Sequence, residues 1–66
     1  MYYIIRVDNH NFVGFACGGM TSQDNAFKFT SLLHAESVLD SWRVNHPNAR
    51  LLEVNEWERF IKPVLV

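Results

Sequence analysis

The clearest pattern in the chain is a helical stripe of apolar residues near its middle. Apolar positions recur there at intervals of three and four, which is typical of one face of an amphipathic helix. The stripe consists of Leu32, Ala35, Leu39 and Trp42. Thr30 and Ser31 precede it, and either hydroxyl can accept a hydrogen bond from a free amide of the first turn. The spacing predicts a helix over residues 31–44.

Two β-branched and aromatic runs precede this helix, YYIIRV at residues 2–7 and FVGFAC at residues 12–17. Such runs are typical of strands. Turn-forming residues separate them, which favours a hairpin with a tight turn about Asn9 and His10. In that register Val7 lies opposite Phe12, whereas a slip of one residue in the turn would reverse the faces.

The hairpin register assigns its side chains to two faces. The face toward the helix holds Tyr3, Ile5, Val7 and Phe12. The other face holds Tyr2, Ile4, Arg6, Val13, Phe15 and Cys17. Apart from Arg6 this second face is apolar, whereas a solvated face of an antiparallel sheet normally carries polar residues. We therefore expect either the last residues of the chain or another protein to cover it.

The remaining segments complete a small α+β fold. Residues 20–25 are predicted to be a polar loop and residues 26–29 a short third strand. Residues 49–54 are predicted to be a final strand, with Leu52 and Val54 on one side and Leu51 and Glu53 on the other. The last apolar residues have helical spacing, which favours a short helix over residues 56–61, although a strand over residues 51–57 competes. We predict one domain, residues 1–66, with one long helix on an antiparallel sheet of three to four strands and a short C-terminal extension.

Composition narrows the function classes. The chain has 66 residues, a formal net charge of -1 and 48% hydrophobic residues, including two Trp, two Tyr and five Phe. The charge is too balanced for a protein that neutralises many phosphates, and too weakly acidic for a mimic of the DNA backbone. A single cysteine, Cys17, cannot close an internal disulfide, which favours a reducing cytoplasm. No signal peptide or membrane span is evident.

No arrangement of reactive side chains predicts catalysis. The three histidines, His10, His34 and His46, and the single thiol lack the paired spacings of a zinc site. Cys17 ends an apolar run, whereas a reactive thiolate needs electropositive surroundings. Glu53, Glu56 and Glu58 cluster near Arg50 and Arg59, which is typical of a solvated charged surface. We predict no catalytic, metal-binding or cofactor-binding residue, and hence no enzyme.

Aromatic residues are the strongest candidates for a functional surface, because Trp and Tyr combine a large apolar area with a polar group. The residues predicted to contact a partner are Tyr2, Ile4, Phe15, Trp57 and Phe60. The alternative is that these side chains bury one another within the chain.

The order of YYIIRV, AFKFTSLLHAESVL and ARLLEV resembles small uncharacterised proteins of Gram-positive phages and prophages. Their pattern is a Tyr- and Ile-rich hairpin, a junction A-x-x-F-x-S/T-x-x-x-A into a helix, and a strand ending in E-V. Ala26, Phe29, Ser31 and Ala35 form the junction here, and the resemblance covers residues 1–54. It implies a β-β-(β)-α-β core and no catalytic residue. Such phage proteins often bind a host or defence protein, as small anti-CRISPR proteins do.

Three hypotheses for function follow. The first is a non-enzymatic phage or mobile-element protein that acts in the bacterial cytoplasm by binding a host or defence protein as an inhibitor or modulator. The second is a single-stranded nucleic-acid-binding protein that stacks bases on Tyr2 and Phe15 beside Arg6, which the shortage of cationic residues disfavours. The third is a structural protein that forms a homodimer through its apolar sheet face.

Overall fold

The computed structural model describes residues 1–15, 18–57 and 60–65, the side chain of Phe60 excepted. Within this part of the chain one α-helix packs on one face of a five-stranded antiparallel sheet of order β3-β2-β1-β4-β5. The elements are β1 (Tyr2–Arg6), β2 (Phe12–Val13), β3 (Met20–Thr21), α1 (Leu32–Arg43), β4 (Arg50–Asn55) and β5 (Phe60–Val64). The predicted α+β class and single long helix are confirmed, with five strands rather than three to four.

Helix α1 begins and ends close to the predicted residues. Ser31 is its N-cap, and its Oγ accepts a hydrogen bond from the His34 amide at 3.4 Å. Of the four residues in the predicted apolar stripe, Ala35 and Leu39 are buried, Trp42 is partly buried and Leu32 is 38% exposed. After the last turn the carbonyl of Trp42 accepts a hydrogen bond from the His46 amide at 2.9 Å, and Pro47 follows. Proline has no backbone donor and disfavours helical conformation in the preceding residue, so the chain leaves the helix here.

The β1–β2 hairpin has a register one residue away from the prediction. Arg6, rather than Val7, lies opposite Phe12. The turn is built around Asp8, whose Oδ1 accepts hydrogen bonds from the amides of His10 and Asn11, each at 2.9 Å. These bonds stabilise a longer loop than the predicted tight turn about Asn9 and His10.

The change of register exchanges the faces of β2. Tyr3, Ile5 and Val7 face the helix as predicted, but Val13 takes the place predicted for Phe12 in this core. Phe12 instead packs with Ile4 on the other face of the sheet. This is the consequence expected of a one-residue slip, because side chains alternate between faces along a strand. The predicted facing of Cys17 lies outside the described residues.

The predicted third strand forms one bridge rather than a continuous strand. The segment 27–29 lies between β1 and β2 where the hairpin strands diverge. The Phe27 amide donates to the Val13 carbonyl at 2.9 Å, and Phe29 and Tyr3 exchange two hydrogen bonds of 2.8 Å. Met20 and Thr21, predicted to lie in a loop, form β3 against β2.

The residues after β4 form a hairpin, so the predicted short helix over residues 56–61 is wrong. The Asn55 side chain accepts a hydrogen bond from the Trp57 amide at 3.0 Å, and this turn reverses the chain instead of capping a helix. Strand β5 then pairs with β4 along its length, from Asn55 opposite Phe60 to Leu51 opposite Val64. The competing strand over residues 51–57 agrees in part, because β4 ends at Asn55. Pro63 is tolerated because β5 is an edge strand.

The two sides of the sheet are buried to different extents. The core between sheet and helix holds Ile5, Val7, Val13, Phe29, Ala35, Leu39, Ala49 and Leu51. On the opposite side a smaller cluster of Ile4, Phe12 and Ala26 is buried, and Tyr2, Leu52 and Val54 pack against it while remaining partly exposed. Strand β5 extends the sheet edgewise, so it does not fold over this second side.

Candidate functional site

We use the name outer face for the side of the sheet that points away from α1. Residues directly opposite each other in paired strands point to the same side of the sheet, and along each strand every second residue points to that side. In β1, β4 and β5 these residues are Tyr2, Ile4, Arg6, Arg50, Leu52, Val54, Ile61 and Pro63. They form a layer with an apolar middle and two cationic residues at one end.

The apolar part of the outer face is open to solvent around a buried centre. Ile4 is only 3% exposed because Ala26 and Phe12 pack against it. Val54 and Leu52 are half-buried, and Ile61, directly opposite Val54, is 42% exposed. A shallow depression of about 170 Å³ lies here. The chain therefore presents a ring of partly exposed apolar side chains around a well-packed residue.

Tyr2 marks one end of this face and is held there by a cation. The Lys28 ammonium lies 5.0 Å from the centre of the Tyr2 ring, a cation–π contact. Lys28 also lines a second groove of about 340 Å³ with Phe15 and Phe27. The aromatic end of the outer face thus continues past Lys28 toward Phe15.

The opposite end of the outer face is basic. Arg6 and Arg50 lie directly opposite each other in the β1–β4 ladder. Tyr2 and Arg6 are four residues apart on β1, so the aromatic and basic ends are separated by about 13 Å at ~3.3 Å per residue. The outer face therefore has a direction, from aromatic through apolar to cationic.

The predicted contact residues lie near the aromatic end, but they do not form one cluster. Tyr2 and Ile4 share the outer face, and Ile4 lies beneath its surface. Phe15 is 86% exposed, and Trp57 is 92% exposed in the turn that follows β4. The side chain of Phe60 lies outside the described residues. The exposed aromatic side chains thus follow β2 and β4, the two strands that flank β1 in the sheet.

Sequence reasoning missed Arg50, Val54 and Ile61 as members of this face. Val54 was placed correctly on the side of β4 that holds Leu52, but the face is assembled only by the β1–β4 pairing. Ile61 joins it because β5 is a strand, whereas helical spacing was the stronger local signal. No short-range pattern links Arg6 to Arg50 across 44 positions of chain.

The other titratable side chains occupy ordinary structural settings. The His34 ring contacts Phe29 edge to face at 5.3 Å, and the His46 ring contacts Trp42 at 5.6 Å. Glu53 forms an ion pair of 3.1 Å with Lys62 on the helix side of the sheet. Cys17, Glu58 and Arg59 lie outside the described residues. Among residues 1–15, 18–57 and 60–65 no group of three His, Cys, Asp or Glu side chains converges as metal ligands would.

The hydrogen bonds at the β1–β2 turn perturb one carboxyl group. The Asn11 side-chain amide, followed by the His10 backbone amide, lowers the pKa of Asp8 below its ordinary value of 3.8. The carboxylate is therefore ionised at neutral pH, with both oxygens engaged by the turn.

In the described part of the chain, no helix combines the length and apolar character needed to span a membrane.

Comparison with known proteins found no match: no family model, no curated protein and no solved structure matches the chain.

Proposed function

We propose that the protein is a non-enzymatic binding module whose outer face contacts another protein. We place it in the cytoplasm of a bacterial host, as a phage or mobile-element protein that modulates a host or defence protein. The resemblance of residues 1–54 to small phage proteins supports this setting. The observation that carries the proposal is the apolar outer face, which neither α1 nor β5 covers.

The composition of this face fits a protein interface. Half-buried Leu52 and Val54 and the more exposed Ile61 surround a packed centre, and Tyr2 adds an aromatic side chain with a polar group. Tyr and Trp are enriched among the residues that dominate binding energy. A standard interface buries about 800 Å² of each partner, roughly a sixth of the 4577 Å² accessible surface of this protein.

The test is capture from a bacterial host lysate by the immobilised protein, with identification of bound proteins by mass spectrometry and confirmation with the purified candidate. Val54→Lys and Ile61→Lys place a charge in the apolar layer and are expected to abolish capture. Val44→Lys is the matched control, because Val44 is 80% exposed at the end of α1. It is expected to retain the same partner.

Circular dichroism must show that each variant remains folded, and Ile61→Lys is the safer of the two because Ile61 is already 42% exposed. A partner retained by both outer-face variants would contradict the proposal. Light scattering at two protein concentrations tests the homodimer hypothesis. A mass that doubles with concentration, and returns to the monomer value in Ile61→Lys, would assign the outer face to a second copy of the chain.

The charge of the outer face supports single-stranded nucleic acid as a second candidate ligand. Arg6, Arg50 and Lys28 accompany Tyr2 on or beside this face, although the net charge is only -1. Aromatic and basic residues on a sheet can stack bases and neutralise phosphates. Anisotropy of a labelled oligonucleotide over a salt series decides this candidate, because phosphate contacts make affinity fall steeply with salt. Absence of salt-dependent binding at low ionic strength excludes it.

A further inference from the structure

The basic end of the outer face holds two arginines in an unfavourable arrangement. Arg6 and Arg50 are directly opposite residues of adjacent strands, where like charges destabilise a sheet. Both are exposed, and neither forms an ion pair with any carboxylate among the described residues. An anion placed between the two guanidinium groups would remove this repulsion.

Most of the hydrogen-bonding capacity of these two side chains remains available. Arg6 donates from Nη2 to the Asn9 Oδ1 at 3.5 Å, and Arg50 donates from Nη1 to the Ala49 carbonyl at 3.1 Å. A guanidinium has five N–H donors in a planar fork, which suits bidentate contact with phosphate. The remaining donors of both forks can therefore face a common ligand.

Arg6 and Arg50 open onto a polar cleft of about 530 Å³. One wall is the turn that follows β1, and the other is the segment between α1 and β4. Besides Asp8, the polar side chains that line these walls are Asn9, Asn45, His46 and Asn48. This volume lies in the range of small-molecule sites, about 300–1,000 Å³, and exceeds what a bare phosphate would fill. Three asparagine amides and an imidazole suit a ligand with hydroxyl groups or ring nitrogens.

Asp8 places a carboxylate in the same wall, but that group is engaged elsewhere. Its Oδ1 accepts from the amides of His10 and Asn11, and the Asn11 Nδ2 lies within 3.0 Å of both oxygens. The negative charge is thus stabilised within the turn. The amides do not cancel this charge, but the two arginines outnumber it and make the cleft attractive to an anion.

We propose that this cleft binds a small phosphate monoester, with the phosphate between Arg6 and Arg50 and the ester group against the asparagines of the α1–β4 segment. A phosphate dianion offers three oxygens to two guanidinium forks, whereas a carboxylate offers only two. The site lies at the end of the outer face remote from Tyr2. It goes beyond the proposed protein-binding function and does not depend on it.

The test is titration of the purified protein with inorganic phosphate, ribose 5-phosphate and adenosine 5′-monophosphate, followed by backbone amide shifts in NMR spectra. Ribose, adenosine and sodium chloride at matched ionic strength are the controls. Saturable shifts at Arg6, Asn48 and Arg50 are expected with both esters and not with the controls. Equal binding of both esters would show that phosphate and sugar suffice, and tighter binding of the nucleotide would show that the base also contacts the cleft.

Matched variants separate this site from a general effect of charge. Arg6→Gln and Arg50→Gln are each expected to weaken ester binding by about tenfold or more, since each removes charge-assisted hydrogen bonds. Lys62→Gln makes the same change of charge on the helix side of the sheet and is expected to leave the affinity within about twofold, because exposed charges distant from the ligand are screened. The proposal is overturned if neither ester gives saturable shifts, or if all three substitutions weaken ester binding equally.

Discussion

At the scale of single residues, Leu33 and Leu39 of α1 differ in their burial. Leu39 is 1% exposed in the core between helix and sheet, whereas Leu33 is 80% exposed on the same helix. Chemically the two residues are identical, so any difference between their substitutions reports the surroundings alone.

Leu39→Ala is therefore expected to lower the free energy of unfolding by about 2–5 kcal/mol, because it removes buried methyl groups and leaves a cavity. Leu33→Ala is expected to change it by less than about 0.5 kcal/mol. Urea denaturation followed by circular dichroism measures both. If Leu39→Ala does not fold, Leu39→Met provides a smaller change, expected to cost less than ~1.5 kcal/mol. Equal effects at the two positions would contradict the assigned orientation of the helix.

Residue-level prediction from sequence worked for α1 because a helix is determined locally. The three- and four-residue spacing placed Ala35 and Leu39 on its buried face, although it also placed the exposed Leu32 there, and Ser31 is one of the two hydroxyl residues predicted as the cap. It failed at Phe12 because one turn sets the facing of a whole strand. Asp8 accepts hydrogen bonds from two later amides, and this lengthened loop displaced the register by one residue. The sequence contains Asp8, but alternative turns use the same residue types.

At the scale of elements, the close approach of β2 and β3 depends on a glycine. A Cβ at Gly14 would lie 3.3 Å from the Gly19 carbonyl oxygen and 3.3 Å from the Thr21 Cγ2. The Gly14 amide also donates to that carbonyl at 2.7 Å. A Cβ at Gly19 would meet no atom within 4 Å, and neither glycine has a φ in the left-handed region.

Gly14→Ala is expected to cost about 1–3 kcal/mol of stability through overpacking. Gly19→Ala is the matched control, expected to be neutral or to stabilise by up to about 1 kcal/mol, because alanine restricts the unfolded chain. Thermal or urea unfolding of the two variants makes the comparison. A Gly14→Ala protein as stable as the parent would show that β3 does not pack against Gly14 in solution.

The β4–β5 hairpin shows why the outer face could be predicted only in part. Sequence reasoning placed Leu52 and Val54 on one side of their strand, and the structure agrees. The first two residues of the strand that completes the layer, Phe60 and Ile61, were predicted to end a short helix, because Trp57, Phe60, Ile61 and Val64 have helical spacing. Pairing with β4 decides between helix and strand, and this contact is not encoded in the local sequence.

At the scale of the whole molecule, the two tryptophans report on different parts of the protein. Trp42 packs against the core and lies 5.6 Å from the His46 ring, whereas Trp57 is 92% exposed. Only Trp42 should change its surroundings greatly on unfolding. The core it contacts includes residues of β1, β2, β4 and α1.

We therefore expect Trp57→Phe to retain most of the change in fluorescence on unfolding, with a midpoint equal to that from far-ultraviolet circular dichroism. Trp42→Phe should remove most of that change. Coincident midpoints are the sign of one cooperative transition in a small domain. Separate midpoints in the Trp57→Phe protein would show that the helix and sheet unfold independently.

The central position of β1 has a consequence for synthesis on the ribosome. Among the strands that the structure describes, β1 is synthesised before the others, yet its long partner β4 begins 44 residues after Arg6. At translation rates of about 5–20 residues per second, the nascent YYIIR segment waits roughly 2–9 s for that partner. During this interval the edge of β1 that pairs with β4 is open to other nascent chains and to chaperones that hold extended apolar segments. The β1–β4 pairing, and the core that includes Leu51, are thus expected to form only after β4 has been synthesised.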